Sequence, residues 1–183
     1  MDFIKTPFAG LFLIQAKPIK DDRGLFGRTF CKKEFAEINF TKDFVQFNHS
    51  LTLKKGTVRG LHFQLPPYSE TKLIRCVQGK IYDTAVDLRK NSPTFLQHFD
   101  TELSAESMMS ILIPEGFAHG YQTLEDNSAF IYHHTQFYTP GSESGIRYDD
   151  PLLKIKWPLP IVNVSEKDKS QNLLETNFKG IEL

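Results

Sequence analysis

Turn-forming residues recur at short intervals along the chain: Asp21-Asp22-Arg23-Gly24, Lys55-Gly56, Pro66-Pro67, Gln78-Gly79, Asn91-Ser92-Pro93, Pro114-Glu115-Gly116, Asp126-Asn127 and Pro140-Gly141. Between them lie short runs rich in Phe, Ile, Val, Leu and Tyr. That spacing is the signature of an all-β sandwich or barrel. The 16 Phe support it, because aromatic side chains fit the pleated surface of a strand. Two short helices break the pattern, one over Lys32 to Asn39, with Phe35 and Ile38 on one face, and one after Ser165. The chain shows no repeat, low-complexity tract or linker, and 183 residues suit one domain with a real core. The expectation is a single domain over residues 1–183, in which the segment from about 160 to 183, set off by Pro158 and Pro160, packs on the barrel.

Alternation within the runs assigns faces. From Phe44 to Leu51, Val45, Phe47, His49 and Leu51 share one face, and Phe44, Gln46, Asn48 and Ser50 the other. From Ile81 to Leu88, Tyr82, Thr84, Val86 and Leu88 oppose Ile81, Asp83, Ala85 and Asp87. A polar face ordinarily meets water, but a ligand-binding barrel turns some polar faces inward. Periodicity alone does not choose between the two.

Lys plus Arg equals Asp plus Glu at 22 each, so no global field draws nucleic acid or an acidic membrane. An anionic ligand would need a local cluster. Cys31 and Cys76 make neither a disulfide framework nor a zinc knuckle and read as reduced thiols of a cytoplasmic protein. The first twenty residues, broken by Pro7, Gly10 and Pro18, form neither a signal peptide nor a membrane span.

Several residues could carry chemistry, each with an ordinary alternative. His62, in Gly56-Thr57-Val58-Arg59-Gly60-Leu61-His62-Phe63-Gln64, and His119, in Ile113-Pro114-Glu115-Gly116-Phe117-Ala118-His119-Gly120, sit in turn-rich, strand-adjacent settings. A satisfied structural histidine is the commoner outcome for either. Lys72 shares a face with Ile74 and Cys76. An inward lysine needs a carboxylate or anionic ligand; otherwise it snorkels to solvent. Tyr132 reads as a core tyrosine or an acid. Asp168, three residues after Ser165, fits a variant capping box. Arg23, Arg28 and Arg59 lie near glycines, and their planar forks suit phosphate. No P-loop, dinucleotide fingerprint or Gly-x-Ser-x-Gly elbow occurs.

Taken together, the segments Asp22-Arg23-Gly24-Leu25-Phe26, Gln46-Phe47-Asn48-His49-Ser50, Gly56 to Gln64, Lys72-Leu73-Ile74-Arg75-Cys76, Val86 to Thr94, Ile113 to Gly120, Tyr138-Thr139-Pro140, Asp149-Asp150-Pro151 and Trp157-Pro158 resemble the dTDP-4-dehydrorhamnose 3,5-epimerase family. Its members are cupin-type jelly-roll barrels of nucleotide-sugar metabolism. The resemblance runs from about residue 3 to about residue 168. It implies epimerisation at C3, C5 or both of a nucleotide-linked 4-keto-6-deoxyhexose, a homodimer with exchanged strands, and no metal or organic cofactor. It makes His62 the general base, Asp168 its orienting partner, Lys72 the cation at the C4 oxygen and Tyr132 the acid on the other face. Arg23, Arg59 and Lys167 match diphosphate positions. Phe26, Gln46, Asn48, His119, Tyr138 and Glu143 match positions lining the sugar and nucleotide. Arg28 stands where rhamnose-pathway members carry glutamate, which leaves the nucleotide and sugar open.

The chemistry agrees. A proton beside a ketone is acidic only if the enolate is stabilised, and an ammonium at the oxygen does that. Inversion needs a base on one face and an acid on the other. A carboxylate on the second nitrogen fixes the histidine tautomer. Three alternatives stand beside this one. A metal-dependent cupin would use His62, Gln64, Glu70 and His119, although Gln64 breaks the usual His-x-His and Glu70 is spaced too far away. A non-catalytic sugar-binding barrel has no reason to keep base, orienter, cation and acid together. A ketoisomerase would share the enolate and differ in product.

Overall fold

The computed structural model describes residues 1–183. In chain order the elements are β1 (Asp2–Lys5), β2 (Phe12–Gln15), β3 (Ile19–Asp21), β4 (Gly24–Phe26) and the helical turn α1 (Lys32–Phe35), which continues as a 3-10 turn (Ala36–Ile38). Then come β5 (Gln46–Thr52), β6 (Val58–Gln64), β7 (Lys72–Gln78), β8 (Lys80–Asp87), β9 (His98–Ser104), β10 (Met109–Ile113), β11 (Phe117–Thr123), β12 (Ser128–His134), β13 (Glu143–Gly145) and α2 (Glu166–Lys169). No helix is long and apolar enough to cross a membrane.

The strands form a six-stranded sheet in the order β1-β2-β10-β7-β12-β5, a five-stranded sheet in the order β13-β6-β11-β8-β9, and the separate hairpin β3-β4. Every pairing between these strands is antiparallel. The inner faces of the two large sheets share one core. Ile74, Cys76, Ile111 and Phe130 of the first sheet pack with Ile81, Ala85, Leu103, Phe117 and Tyr121 of the second. Two antiparallel sheets closed over a common core give the all-β sandwich or barrel that the turn spacing predicts, in the jelly-roll form that the resemblance implies.

The predicted turns fall between strands. Asp21 to Gly24 closes β3-β4, Gln78-Gly79 joins β7 to β8, and Asp126-Asn127 joins β11 to β12, with Asn127 left-handed at φ 55°. Asn39 ends the first helical segment, also left-handed at φ 62°. One glycine governs the site. Gly60 has φ +118°, and a Cβ there would lie 2.6 Å from the Gly120 Cα and 2.7 Å from the His119 oxygen. Only glycine lets β6 and β11 cross this closely, at a register shift between His119 and Tyr121.

Residues 160–183 run along the barrel. The Asn163 carbonyl accepts from the Val58 amide at 2.9 Å, and Ile181 pairs with Arg89 and packs with Leu61, Val86 and Leu88.

Candidate active site

Where β5 and β7 begin and β6 and β12 end, the sheets part around a cavity of about 230 Å³. β6 presents His62 and Gln64, β7 Lys72, β12 Tyr132 and His134, β5 Gln46 and Asn48, and β11 His119. Phe63, Glu70, Tyr138 and Glu143 complete the wall. Two-residue periodicity explains the pairs, since residues two apart on a strand share a face. The cavity decides the β5 alternatives: Gln46 and Asn48 line it, while Val45, Phe47 and Leu51 are exposed. On β8 the face with Asp83 is the inner one, and Ile81, Asp83, Ala85 and Asp87 are all fully buried.

His62 Nε2 lies 2.6 Å from Asp168 Oδ1, across 106 residues of sequence. Only half of a capping box forms at Asp168. Its amide donates to the Ser165 hydroxyl and caps α2, while its carboxylate leaves the helix for His62 and the Gly60 amide. Burial would raise the Asp168 carboxyl. The His62 hydrogen bond and charge, with the Gly60 amide, outweigh it and hold the group below its ordinary value. Asp168 is therefore an acceptor, His62 Nε2–H donates to it, and the lone pair is left on Nδ1.

Lys72 is buried with Ile74 and Cys76, as alternation predicts. Its ammonium lies 3.2 Å from Glu70 Oε1 and 3.3 Å from the His62 carbonyl. Tyr132 stands on the opposite sheet from His62. Burial, then Tyr121 and Asp83, push its phenol well up, so it keeps its proton. His119 is the direct cross-strand partner of His62 and sets its Nε2 2.8 Å from the buried Asp83.

A second cleft, about 520 Å³, adjoins the cavity through His62 and is lined by Lys54, Arg59, Ser165, Lys167 and Asp168. Lys167 reaches back to Glu143 of the first cavity at 2.7 Å. Of the residues singled out from sequence for the epimerase, eight line the cavity: His62, Lys72, Tyr132, Gln46, Asn48, His119, Tyr138 and Glu143. Asp168, Arg59 and Lys167 border the adjoining cleft. Arg23, Phe26 and Arg28 reach neither. Arg23 and Phe26 sit on the exposed β3-β4 hairpin, where Arg23 pairs with Asp21, and Arg28 pairs with Glu34.

The four side chains of the metal-cupin alternative are each engaged elsewhere: His62 with Asp168, His119 with Asp83, and Glu70 with His134 and Lys72. Gln64 spends its amide on two loops. Its Nε2 donates to the carbonyls of Tyr68 and Phe137, and its Oε1 accepts from the Thr139 amide at 2.8 Å. No three His, Cys, Asp or Glu side chains gather where they could hold an ion.

The family profile described as dTDP-4-dehydrorhamnose 3,5-epimerase matches residues 5–176. The chain belongs to that family. It is 44% identical over 180 residues to the dTDP-4-dehydrorhamnose 3,5-epimerase of Shigella flexneri, covering 97% of this chain and 99% of the relative. Among solved structures, the epimerase of Bacillus anthracis, with TDP and PPi bound, superposes with a TM-score of 0.92 at 41% identity, covering 94% of this chain and 99% of that one. The epimerase of Legionella pneumophila, in complex with dTDP-4-keto-L-rhamnose, does so with a TM-score of 0.89 at 40% identity, over 94% and 92% of the two chains. Membership makes the protein a carbohydrate epimerase, an isomerase of the cupin fold.

Within the epimerase cavity, sequence reasoning missed His134 and assigned Glu70 and Gln64 only to a metal alternative. His134 shares its strand face with Tyr132, and Glu70 shares parity with Lys72, so alternation was signal enough for both.

Proposed function

We propose that this epimerase converts dTDP-4-dehydro-6-deoxy-D-glucose to dTDP-4-dehydro-L-rhamnose, by taking a proton from the carbon beside the C4 ketone and returning one to the opposite face. The observation that carries the reading is the meeting of His62, Lys72 and Tyr132 on the walls of one cavity, with Asp168 behind His62. His62 Nδ1 accepts the substrate proton, and Asp168 stabilises the imidazolium that forms. The Lys72 ammonium faces the C4 oxygen as it gains charge. Tyr132, held protonated by burial, donates from the sheet opposite His62. Deprotonation and reprotonation leave the oxidation state unchanged, so the step consumes no redox equivalent. Arg59 and Lys167 hold the diphosphate, and Gln46, Asn48, His119, Tyr138 and Glu143 line the sugar and nucleotide.

The active unit we infer is a homodimer in which the β3-β4 hairpin crosses to the partner. Two features support it: Arg23 and Phe26 stand away from their own cavity, and Phe26 and Ile19 are about three-quarters exposed. Residues 1–183 act as one domain, with the C-terminal segment supplying Asp168. The free thiols Cys31 and Cys76 favour the cytoplasm.

The test is proton exchange in heavy water with the dTDP-linked 4-keto sugar, followed by NMR. Deuterium at both C3 and C5 is expected. Deuterium at one carbon would make the protein a single-site epimerase, and a shifted carbonyl in the product a ketoisomerase. No exchange would overturn the reading.

A further inference from the structure

Glu70 and His134 are ionisable, line the cavity and have no part in the proton transfers above. An ammonium on a four-carbon stem is a mobile donor, and aiming it at one oxygen requires that its other protons be held. We propose that Glu70 is a positioning residue for Lys72, and that His134 holds Glu70 in turn. The proposal rests on the epimerase reading of the site.

The hydrogen-bond count favours it. Lys72 has three N–H donors. One faces Glu70 Oε1 at 3.2 Å and one the His62 carbonyl at 3.3 Å. The third is left for the cavity, in the one direction the tetrahedral nitrogen still allows. The contact with the His62 carbonyl ties the cation to the backbone of the base, so the two groups keep a fixed relation. Glu70 cannot swing away, because its Oε2 accepts from His134 Nδ1 at 2.8 Å. Backbone register enforces the arrangement: His134 is the cross-strand partner of Lys72 on one side and of Gln46 on the other. The side chains of Lys72, Glu70 and His134 are 11%, 9% and 9% exposed, so water does little to loosen them.

The bonds also converge consistently on Glu70, Lys72 donating from one side and His134 from the other. A carboxylate only accepts, so the His134 proton sits on Nδ1, and Nε2 accepts from the Asn48 amide nitrogen at 3.3 Å. Asn48 Oδ1 accepts from Gln46 Nε2, and Gln46 Oε1 accepts from the Tyr138 backbone amide at 3.0 Å. One polar chain thus runs from the buried ammonium to Tyr138 at the mouth. Burial would raise the Glu70 carboxyl, but His134 and Lys72 keep it below its ordinary value and charged.

The experiment compares Glu70→Gln with the unaltered protein. The substitution keeps size and removes the charge. Expected is a fall of about 10- to 100-fold in the exchange rate at C3 and C5, the loss of one charge-assisted bond, with KM and dTDP affinity within about twofold. A merely structural role would move affinity and thermal midpoint together with rate. Exchange within twofold of the unaltered protein, or a raised KM at constant kcat, overturns the positioning role while leaving the epimerase reading intact. Absence of exchange in the unaltered protein overturns both. If Glu70→Gln folds poorly, His134→Gln leaves the carboxylate charged but unanchored. It should show the same split at about tenfold, and an undiminished rate there is the refutation.

Discussion

Replacing Asp168 by asparagine changes almost nothing in shape and should cost most of the activity. The wild-type carboxylate accepts from His62 Nε2 at 2.6 Å and from the Gly60 amide at 3.3 Å, and its side chain is 4% exposed. When His62 takes the substrate proton, that short contact becomes a bond between two charges. A hydrogen bond to a charged group contributes about 1.5–3 kcal/mol, which is about 10- to 100-fold in rate. A second loss follows from geometry. The Gly60 amide donates to Oδ2, so the new side chain keeps its oxygen there and turns its NH₂ towards His62 Nε2. Donor then faces donor, unless the imidazole moves its proton to Nδ1. In that tautomer the lone pair is spent inside the dyad and the cavity meets an N–H, which accepts nothing. Together the two effects predict a fall of about 10²- to 10⁴-fold in kcat, the upper end being the cost of the same change in a Ser-His-Asp triad. The assay is deuterium incorporation at C3 and C5 under saturating substrate, with dTDP affinity measured alongside and expected within about twofold. Exchange within threefold of the unaltered protein would refute the assignment of Asp168 as the orienter of the base.

Gln64→Leu removes bonds to the Tyr68 and Phe137 carbonyls and the Thr139 amide, which together set the exposed Tyr138 at the mouth. KM should rise about tenfold, from roughly 1.4 kcal/mol of lost ordering, with kcat within about threefold; a kcat loss at constant KM would contradict it. Gly60→Ala pushes a methyl group against the backbone of Gly120 and His119 at φ +118°, and should destabilise by about 1–3 kcal/mol in urea unfolding; an unchanged midpoint would contradict the crossing argument. Burial raises Glu70, Asp87, Asp100 and Asp168, yet His134 with Lys72, Arg89, His98 and His62 respectively hold each below its ordinary value. Folded values below unfolded ones give stability that is complete above about pH 5 and lost as pH falls through the folded values. The urea midpoint should drop steeply between about pH 5 and 3, and a flat profile there would exclude these pairs as contributors. His98, raised by its bond to Asp100, carries the opposite sign: its contribution is full below about pH 6.5 and fades as pH rises through the folded value.

Much of the fold was legible because turn chemistry is local. Asn127, Gly79 and Gly56 take positive φ where the sequence placed turns, and the runs between them became strands. Faces were legible as pairs but not as inside and outside, since two-residue periodicity is silent on which side the second sheet lies. The site divides the same way. Lys72 was visibly inward because Ile74 and Cys76 share its face. The His62–Asp168 contact was not readable from pattern, for it joins a strand to a helix 106 residues on, and only the family resemblance supplied it. Alternation put Asp83 on a face with Asp87, but that it meets His119 depends on the β8-β11 register. Arg23, Phe26 and Arg28 resemble family positions yet lie off the cavity of their own chain, Arg23 and Phe26 on the β3-β4 hairpin and Arg28 just after it.

The arrangement of β5 answers two demands at once. Its inner face carries Gln46 and Asn48, and its outer face exposes Val45, Phe47 and Leu51. For an isolated chain this is the wrong way round, since burying each such apolar side chain is worth about 1.5–3 kcal/mol. A slip of one residue would reverse both faces at once. Two demands hold the strand where it is. The cavity wall beside His134 needs amides, because Asn48 must donate to His134 and Gln46 must fix the Tyr138 amide. The outer face, with Phe47 65% exposed, offers apolar surface to the partner of the proposed homodimer. The proposed homodimer meets both demands: the polar residues that serve the substrate and the apolar residues that favour association are alternate positions of one edge strand. In that homodimer, cavity wall and association surface cannot drift independently in sequence.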